Sequence, residues 1–171
     1  MVILDRINHV IKKNTRKWLK KPMHISDYLL GIDGITFLDA TTREDALSCL
    51  VDLFVKNGKV ESRSFLYEAI LKREKIASTG IGMNVAIPHA KTPLYPEFSM
   101  VLGMQKQGIA WDSLDGSLVK IIFMIIGPDN RQTECLRLLS KLTEVIKNEE
   151  LRTQMFHADS SASIWRLLKD Y

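Results

Sequence analysis

The chain has 171 residues, of which 46% are hydrophobic and 26% charged, a balance typical of a globular protein with a hydrophobic core. This length predicts one compact domain. No apolar stretch approaches the roughly 20 residues that a membrane-spanning helix needs. The apolar residues 2–4 precede the first charges, the reverse of the order in a secretory signal, so we expect a cytoplasmic protein.

The cysteines and histidines do not form the patterns of a disulfide framework or a zinc site. Cys49 and Cys135 are too few to hold a fold together by disulfides. No histidine lies two to five residues from another histidine or from a cysteine, the spacing that zinc sites use. The pair Gly80–Gly82 lacks the Lys-Ser that a nucleotide-binding loop requires. We therefore predict no metal and no cofactor.

Positive charge is concentrated at the N-terminus. Residues 1–22 contain seven of the 24 basic residues and one of the 20 acidic residues, so the remaining chain is close to neutral. The apolar residues of this segment recur with the period of one helix face, and Pro22 ends the pattern. We predict a basic amphipathic helical extension over 1–22 and a separate domain over 23–171, with no nucleic-acid binding by that domain. The extension is expected to dock on the domain with its basic face in solvent, and a contact with a membrane surface or nucleic acid is the alternative.

The next elements are a strand and two helices. Residues 35–40 predict a short strand, and Thr41 and Glu44 have the spacing of a capping box that begins a helix. The apolar stripe of this helix runs to position 55 and stops at Asn57-Gly58. A second helix is predicted from about 62 to 73.

Strands and then helices make up the rest of the chain. The predicted strands cover 85–87, 98–105 and 118–127, with a hairpin signal at Asp115-Gly116. Helices are predicted over about 132–147, 149–157 and 160–169. This order favours an α/β (α+β) fold in which one sheet is sandwiched between helix layers.

The segment from Arg73 to Ala90 carries the most specific chemical signal. It reads Arg-Glu-Lys-Ile-Ala-Ser-Thr-Gly-Ile-Gly-Met-Asn-Val-Ala-Ile-Pro-His-Ala. Arg73 ends a predicted helix and offers a fork of donors for phosphate oxygens. Ser78 and Thr79 supply hydroxyl groups, and a short apolar strand then leads to His89.

His89 is the candidate nucleophile. A histidine with an ordinary pKa of about 6.5 offers a neutral ring nitrogen near neutral pH, and that nitrogen can attack phosphorus. Its other ring nitrogen must be held by a partner that fixes the tautomer. A histidine after a proline is by itself more often a structural turn residue, so the interpretation depends on the whole segment.

The segment 73–90 closely resembles the signature of the enzyme IIA domains of the fructose–mannitol family, from the phosphoenolpyruvate-dependent phosphotransferase system. A chain of this size looks most like the nitrogen-related regulatory member. The resemblance extends over about residues 25–170, including Asp115-Gly116 and the strand 121–127 with its following leucine-rich helix. It implies a mixed, mostly five-stranded sheet between helix layers.

The resemblance also implies roles for individual residues. His89 matches the histidine that accepts phosphate from an HPr-type carrier protein, and Arg73 matches the arginine that stabilises the transferring group. Ser78 and Thr79 match polar residues at the mouth of the site. A second histidine, usual in relatives, is replaced here by Cys135. Asn84 stands where a glycine is usual, and Asn tolerates positive φ better than most residues.

Two kinds of function remain open. The first is a phosphohistidine carrier, a transferase component whose downstream partner is a regulated protein or an enzyme IIB. The second is a binding module, sugar-specific or no longer phosphorylated, to which Cys135 together with Asn84 points. A cysteine–histidine hydrolase using Cys135 and His89 has no glycine-rich elbow to support it. The sequence leaves a homo-oligomer open.

Overall fold

The structure is a computed structural model that describes residues 22–171. The predicted extension over 1–22 lies outside the described residues except for Pro22. The helices are α1 Arg43–Lys56, α2 Arg63–Ile76, α3 Gln132–Lys147, α4 Glu149–His157 and α5 Ser161–Leu168. The strands are β1 Ile35–Phe37, β2 Gly80–Gly82, β3 Val85–Ala86, β4 His89–Lys91, β5 Ser99–Ile109 and β6 Val119–Gly127.

The strands form one mixed sheet in the order β1-β5-β6-β3-β2, with β4 also paired to β6. β5 and β6 are antiparallel, whereas β1 runs parallel to β5 and both β3 and β4 run parallel to β6. β3 and β4 therefore occupy one position across the sheet, interrupted at Ile87-Pro88. Proline has no N–H to donate to a neighbouring strand. The sheet is thus five strands wide, as expected, and contains six strands because β3 and β4 share one position.

Side chains alternate along β6 and supply two separate cores. Ile121, Phe123 and Ile125 pack against the layer of α3, α4 and α5. Ile122, Met124 and Ile126 pack on the opposite face against α1 and α2. This two-residue alternation is the geometry of a strand with both faces covered. The predicted α/β sandwich is confirmed.

Two local predictions were wrong by a few residues. The cap of α1 is Thr42, whose hydroxyl accepts from the Asp45 backbone N–H at 3.2 Å, rather than Thr41 with Glu44. β1 ends at Phe37 instead of position 40. Neighbouring threonines give the same sequence signal, and only the backbone path decides which one turns into the helix. None of the helices described between residues 22 and 171 is long and apolar enough to cross a membrane.

Candidate functional site

The candidate site lies where the last turn of α2 meets the start of β4. β4 pairs with β6 along one side, and α2 contacts β4 as well. Ile125 donates its backbone N–H to the carbonyl of Pro88 at 3.0 Å, which ties the residue before His89 to the central strand. His89 therefore begins β4 on a backbone held by the middle of the sheet.

Both ring nitrogens of His89 have hydrogen-bond partners. Nδ1 lies 3.0 Å from the carbonyl oxygen of Ile87. A carbonyl oxygen only accepts, so the proton of a neutral ring lies on Nδ1. Nε2 then carries a lone pair, and it accepts from the Nε–H of Arg73 at 3.1 Å. The contacts thus select the tautomer in which Nε2 is the nucleophilic nitrogen.

The surroundings of His89 favour its neutral form. Burial is the largest cause that lowers the pKa of His89 below 6.5, and the positive charges of Arg73 and Lys91 lower it further. The bond to the Ile87 carbonyl and the charge of Glu74 act in the opposite direction and are weaker in sum. A neutral imidazole is the form that can act as a nucleophile.

Arg73 connects the end of α2 to the His89 ring. Besides its contact with His89, it donates through Nη1 to the carbonyl oxygen of Ala77 at 3.0 Å. Ala77 is the first residue beyond α2 and has extended backbone angles. The guanidinium thus lies between the end of the helix and the reactive nitrogen. A planar cation there can bind the oxygens of a transferring phosphoryl group.

The hydroxyls of Ser78 and Thr79 form hydrogen bonds with other groups of this chain. Ser78 donates to the carbonyl oxygen of Trp111 at 2.7 Å and accepts from the Gly80 N–H at 3.1 Å. The Thr79 hydroxyl donates to the carboxylate of Glu74 at 2.6 Å, and Thr79 is 4% exposed. Both residues shape the segment that leads to His89.

Cys135 lies in the first turn of α3, on the same side of the sheet as the His89 side chain. Ala90 packs with the α1–α2 core, so alternation directs His89 and Lys91 to the opposite face, where Cys135 is buried. Burial raises the pKa of the Cys135 thiol, and the charge of Lys91 lowers it by a smaller amount. A neutral thiol is the form expected at neutral pH.

Three residues near the site were missed in the sequence interpretation, namely Glu74, Lys91 and Trp111. Lys91 could have been found, because it follows His89 by two residues on a strand and so shares its face. Glu74 lies in the last turn of a helix, where a glutamate is normally solvated. Its burial depends on the loop that carries Trp111, which no local pattern reveals.

A hairpin turn connects β2 to β3 ahead of the site. Met83 and Asn84 have φ of 56° and 63°, and positive φ at both central residues is what a two-residue type I′ turn requires. Asn84 thus adopts the conformation expected from the glycine that it replaces. Asp115 accepts from the Met83 N–H at 2.9 Å, which connects this turn to the loop between β5 and β6.

Comparison with known proteins identifies the family. Residues 29–171 match the family described as "Phosphoenolpyruvate-dependent sugar phosphotransferase system, EIIA 2". A fructose-specific EIIA component of Haloferax volcanii is 33% identical over 129 residues, which cover 75% of this chain and 84% of that protein. A fructose-specific EIIABC component of Bacillus subtilis is 34% identical over 134 residues, covering 78% of this chain but 21% of that protein.

A solved structure shares the fold. The nitrogen regulatory protein IIA-Ntr of Neisseria meningitidis superposes with a TM-score of 0.77 at 24% identity, over 84% of this chain and 98% of that one. In the part of this chain that the structure describes, no group of three or more His, Cys, Asp or Glu residues is arranged to hold a metal ion. The chain belongs to the EIIA 2 family of the phosphoenolpyruvate-dependent phosphotransferase system.

Proposed function

We propose that this chain is a phosphohistidine carrier in which Nε2 of His89 accepts a phosphoryl group from an HPr-type protein. The observation that carries the proposal is the pair of contacts on the imidazole. Nδ1 is bonded to the Ile87 carbonyl, and Nε2 faces Arg73. One contact leaves a lone pair on Nε2, and the other places a cation where charge develops during transfer.

The transfer balances without a further reactant. The lone pair of Nε2 attacks the phosphorus carried by a histidine of the donor, a P–N bond forms to His89, and the P–N bond of the donor breaks. Arg73 exchanges its contact with Nε2 for contacts with phosphoryl oxygens. In onward transfer a nucleophile of the acceptor attacks the phosphorus, a bond forms to the acceptor, and the P–N bond to His89 breaks and returns the lone pair to Nε2.

Exposed apolar side chains around the site support a protein as donor and acceptor. Ile76, Leu94 and Leu136 are 76%, 64% and 67% exposed. They belong to the end of α2, the loop after β4 and the N-terminal part of α3, the segments that carry or follow Arg73, His89 and Cys135. Exposed apolar side chains on the segments that carry a polar site are typical of a protein contact surface.

The downstream partner is proposed to be an enzyme IIB or a regulated protein. A fructose-specific relative and a nitrogen regulatory protein both share this domain. The Bacillus subtilis relative is named as an EIIABC component, and this chain matches about a fifth of its length. We propose the domain to be residues 23–171, a transferase component, with residues 1–22 as a basic extension.

The second candidate function is a binding module that is no longer phosphorylated. Cys135 is the observation that favours it, because a neutral, buried thiol cannot supply the hydrogen bonds of a second imidazole to a phosphoryl group. Such a module would bind its partner equally with and without phosphoenolpyruvate.

Intact-protein mass after incubation with enzyme I, an HPr-type donor and phosphoenolpyruvate tests the proposal. We expect one acid-labile phosphoryl group on the native protein and none on His89→Ala. His157→Ala is the matched control, since His157 is exposed at the end of α4, and should be labelled normally. Labelling of His89→Ala would overturn the assignment. No label on the native protein, with a donor that charges another enzyme IIA, would favour the binding module.

A further inference from the structure

The carboxylate of Glu74 is buried and receives three hydrogen bonds. Glu74 is 5% exposed in the last turn of α2. Its Oε1 accepts from the Thr79 backbone N–H at 2.9 Å and from Trp111 Nε1 at 3.0 Å. Its Oε2 accepts from the Thr79 hydroxyl at 2.6 Å. Nη1 of Arg43 lies 4.0 Å from Oε1, so a cation from α1 balances the buried charge.

A chain of hydrogen bonds runs from Glu74 to His89. Glu74 holds Thr79, whose carbonyl oxygen accepts from the Ile87 N–H at 3.0 Å. The carbonyl oxygen of Ile87 in turn accepts from Nδ1 of His89 at 3.0 Å. The next residue back along α2 is Arg73, which contacts Nε2 of the same ring. Two consecutive residues of one helical turn therefore act on the two nitrogens of the imidazole.

We propose that Glu74 is a positioning residue that fixes the tautomer of His89. Through Thr79 it holds the Ile87 carbonyl where that oxygen keeps the proton on Nδ1, and Nε2 is left unprotonated. The use of that nitrogen for phosphoryl transfer rests on the function proposed above. The tautomer itself is a property of the unphosphorylated protein and can be measured without any donor.

The Thr79 end of this chain of hydrogen bonds lies in the weakly held part of the sheet. β3 has two residues, β2 has three, and β2 lies at an edge of the sheet. Beyond α2, Ala77 is already extended, with φ −162° and ψ 141°. Short edge strands are the weakly held parts of a sheet. On the His89 side of Ile87 the backbone is already held by the bond from Ile125 to Pro88, and Glu74 adds an anchor on the Thr79 side.

Two conservative substitutions distinguish the length of the Glu74 side chain from its negative charge. Glu74→Gln keeps the reach: Oε1 can still accept from Thr79 N–H and Trp111 Nε1, and the new amide can donate to the Thr79 hydroxyl. Glu74→Asp keeps the negative charge beside Arg43 but withdraws the carboxylate by one methylene. If Glu74 acts by positioning, Glu74→Asp should disturb the His89 ring and Glu74→Gln should not.

The first measurement is the nitrogen-15 chemical shifts of the His89 ring in the unphosphorylated protein. We expect a protonated Nδ1 and an unprotonated Nε2 in the native protein and in Glu74→Gln. In Glu74→Asp we expect shifts averaged between the two tautomers. Glu68→Asp is the matched control, because Glu68 is exposed on the same helix, and should leave the His89 shifts unchanged.

The second measurement is the initial rate of phosphorylation. We expect Glu74→Asp to lose about tenfold to a hundredfold, the range found when groups that orient a ligating imidazole are removed. Glu74→Gln should stay within a few fold of the native rate.

Three results would overturn the proposal: a protonated Nε2 in the native protein, native ring shifts in a folded Glu74→Asp, or equal damage by both substitutions. The native spectrum alone decides the first of these, even if a variant fails to fold. A fixed tautomer in a protein that no donor phosphorylates would instead uphold the positioning role and reject the phosphocarrier function.

Discussion

At the scale of single residues, His89 lies in surroundings that oppose its charged form. Burial is the main cause of its lowered pKa, with Arg73 and Lys91 adding to it. The folded protein therefore takes up this proton only below 6.5, and the neutral nucleophile persists at lower pH than for a free histidine. The stability linked to neutral His89 is present above the unfolded pKa and is lost as pH falls through the folded value.

An NMR titration of the His89 ring checks this directly. We expect its midpoint below 6.5 in the native protein. Arg73→Gln should raise the midpoint only part of the way towards 6.5, because burial, the larger cause of the lowered pKa, remains. A native midpoint at or above 6.5, or full recovery in Arg73→Gln, would contradict this account of the site.

Asp115 gives a second prediction at this scale. Hydrogen bonds from Ser117 and from the Met83 N–H lower the pKa of Asp115 to about 2. Because the folded pKa lies below the unfolded one, the stabilisation is full above about 3.8 and is lost as pH falls towards 2. The difference in melting temperature between the native protein and Asp115→Asn should therefore shrink across this window. A constant difference would show that the ionised carboxylate is not what holds the turn.

At the scale of elements, substitutions of Asn84 test the conformation of the β2–β3 turn. Asn84 has positive φ, and its side-chain amide donates to the Leu118 carbonyl at 2.8 Å. Asn84→Ala and Asn84→Gly both lose this bond, but only alanine suffers the left-handed conformation, which costs roughly 1–2 kcal/mol. We expect Asn84→Ala to be the less stable of the two in urea unfolding. Equal stabilities would mean that the turn relaxes out of positive φ.

The elements also show what sequence patterns can and cannot predict. The strand ending at Ile87-Pro88 was predictable, because an apolar run followed by proline carries its own signal. The α1 cap was misplaced by one residue, since Thr41 and Thr42 are chemically alike and the chain path chooses between them. The burial of Glu74 could not be predicted, because Trp111 comes from a loop 37 residues away. Local patterns predict elements, whereas contacts between distant segments build the site.

At the scale of the whole molecule, the sheet separates two cores that share β5 and β6. Met100 and Leu102 of β5 face the α3–α5 layer, and Val101 between them faces the α1–α2 layer. A defect on either face therefore weakens the same central strands. The two helix layers should consequently unfold together, because neither layer has a sheet of its own.

Leu50 of α1 and Leu142 of α3 test this coupling, since both are fully buried and lie on opposite faces of the sheet. Truncating each to alanine removes buried methyl groups and should cost about 2–5 kcal/mol of unfolding free energy. The sheet keeps the two sites apart, so the double variant should lose the sum of the two costs to within about 0.5 kcal/mol. Circular dichroism and tryptophan fluorescence should report one common urea transition for all variants. Two separate transitions in Leu142→Ala would mean that the α1–α2 layer holds the sheet, and with it His89, without the other layer.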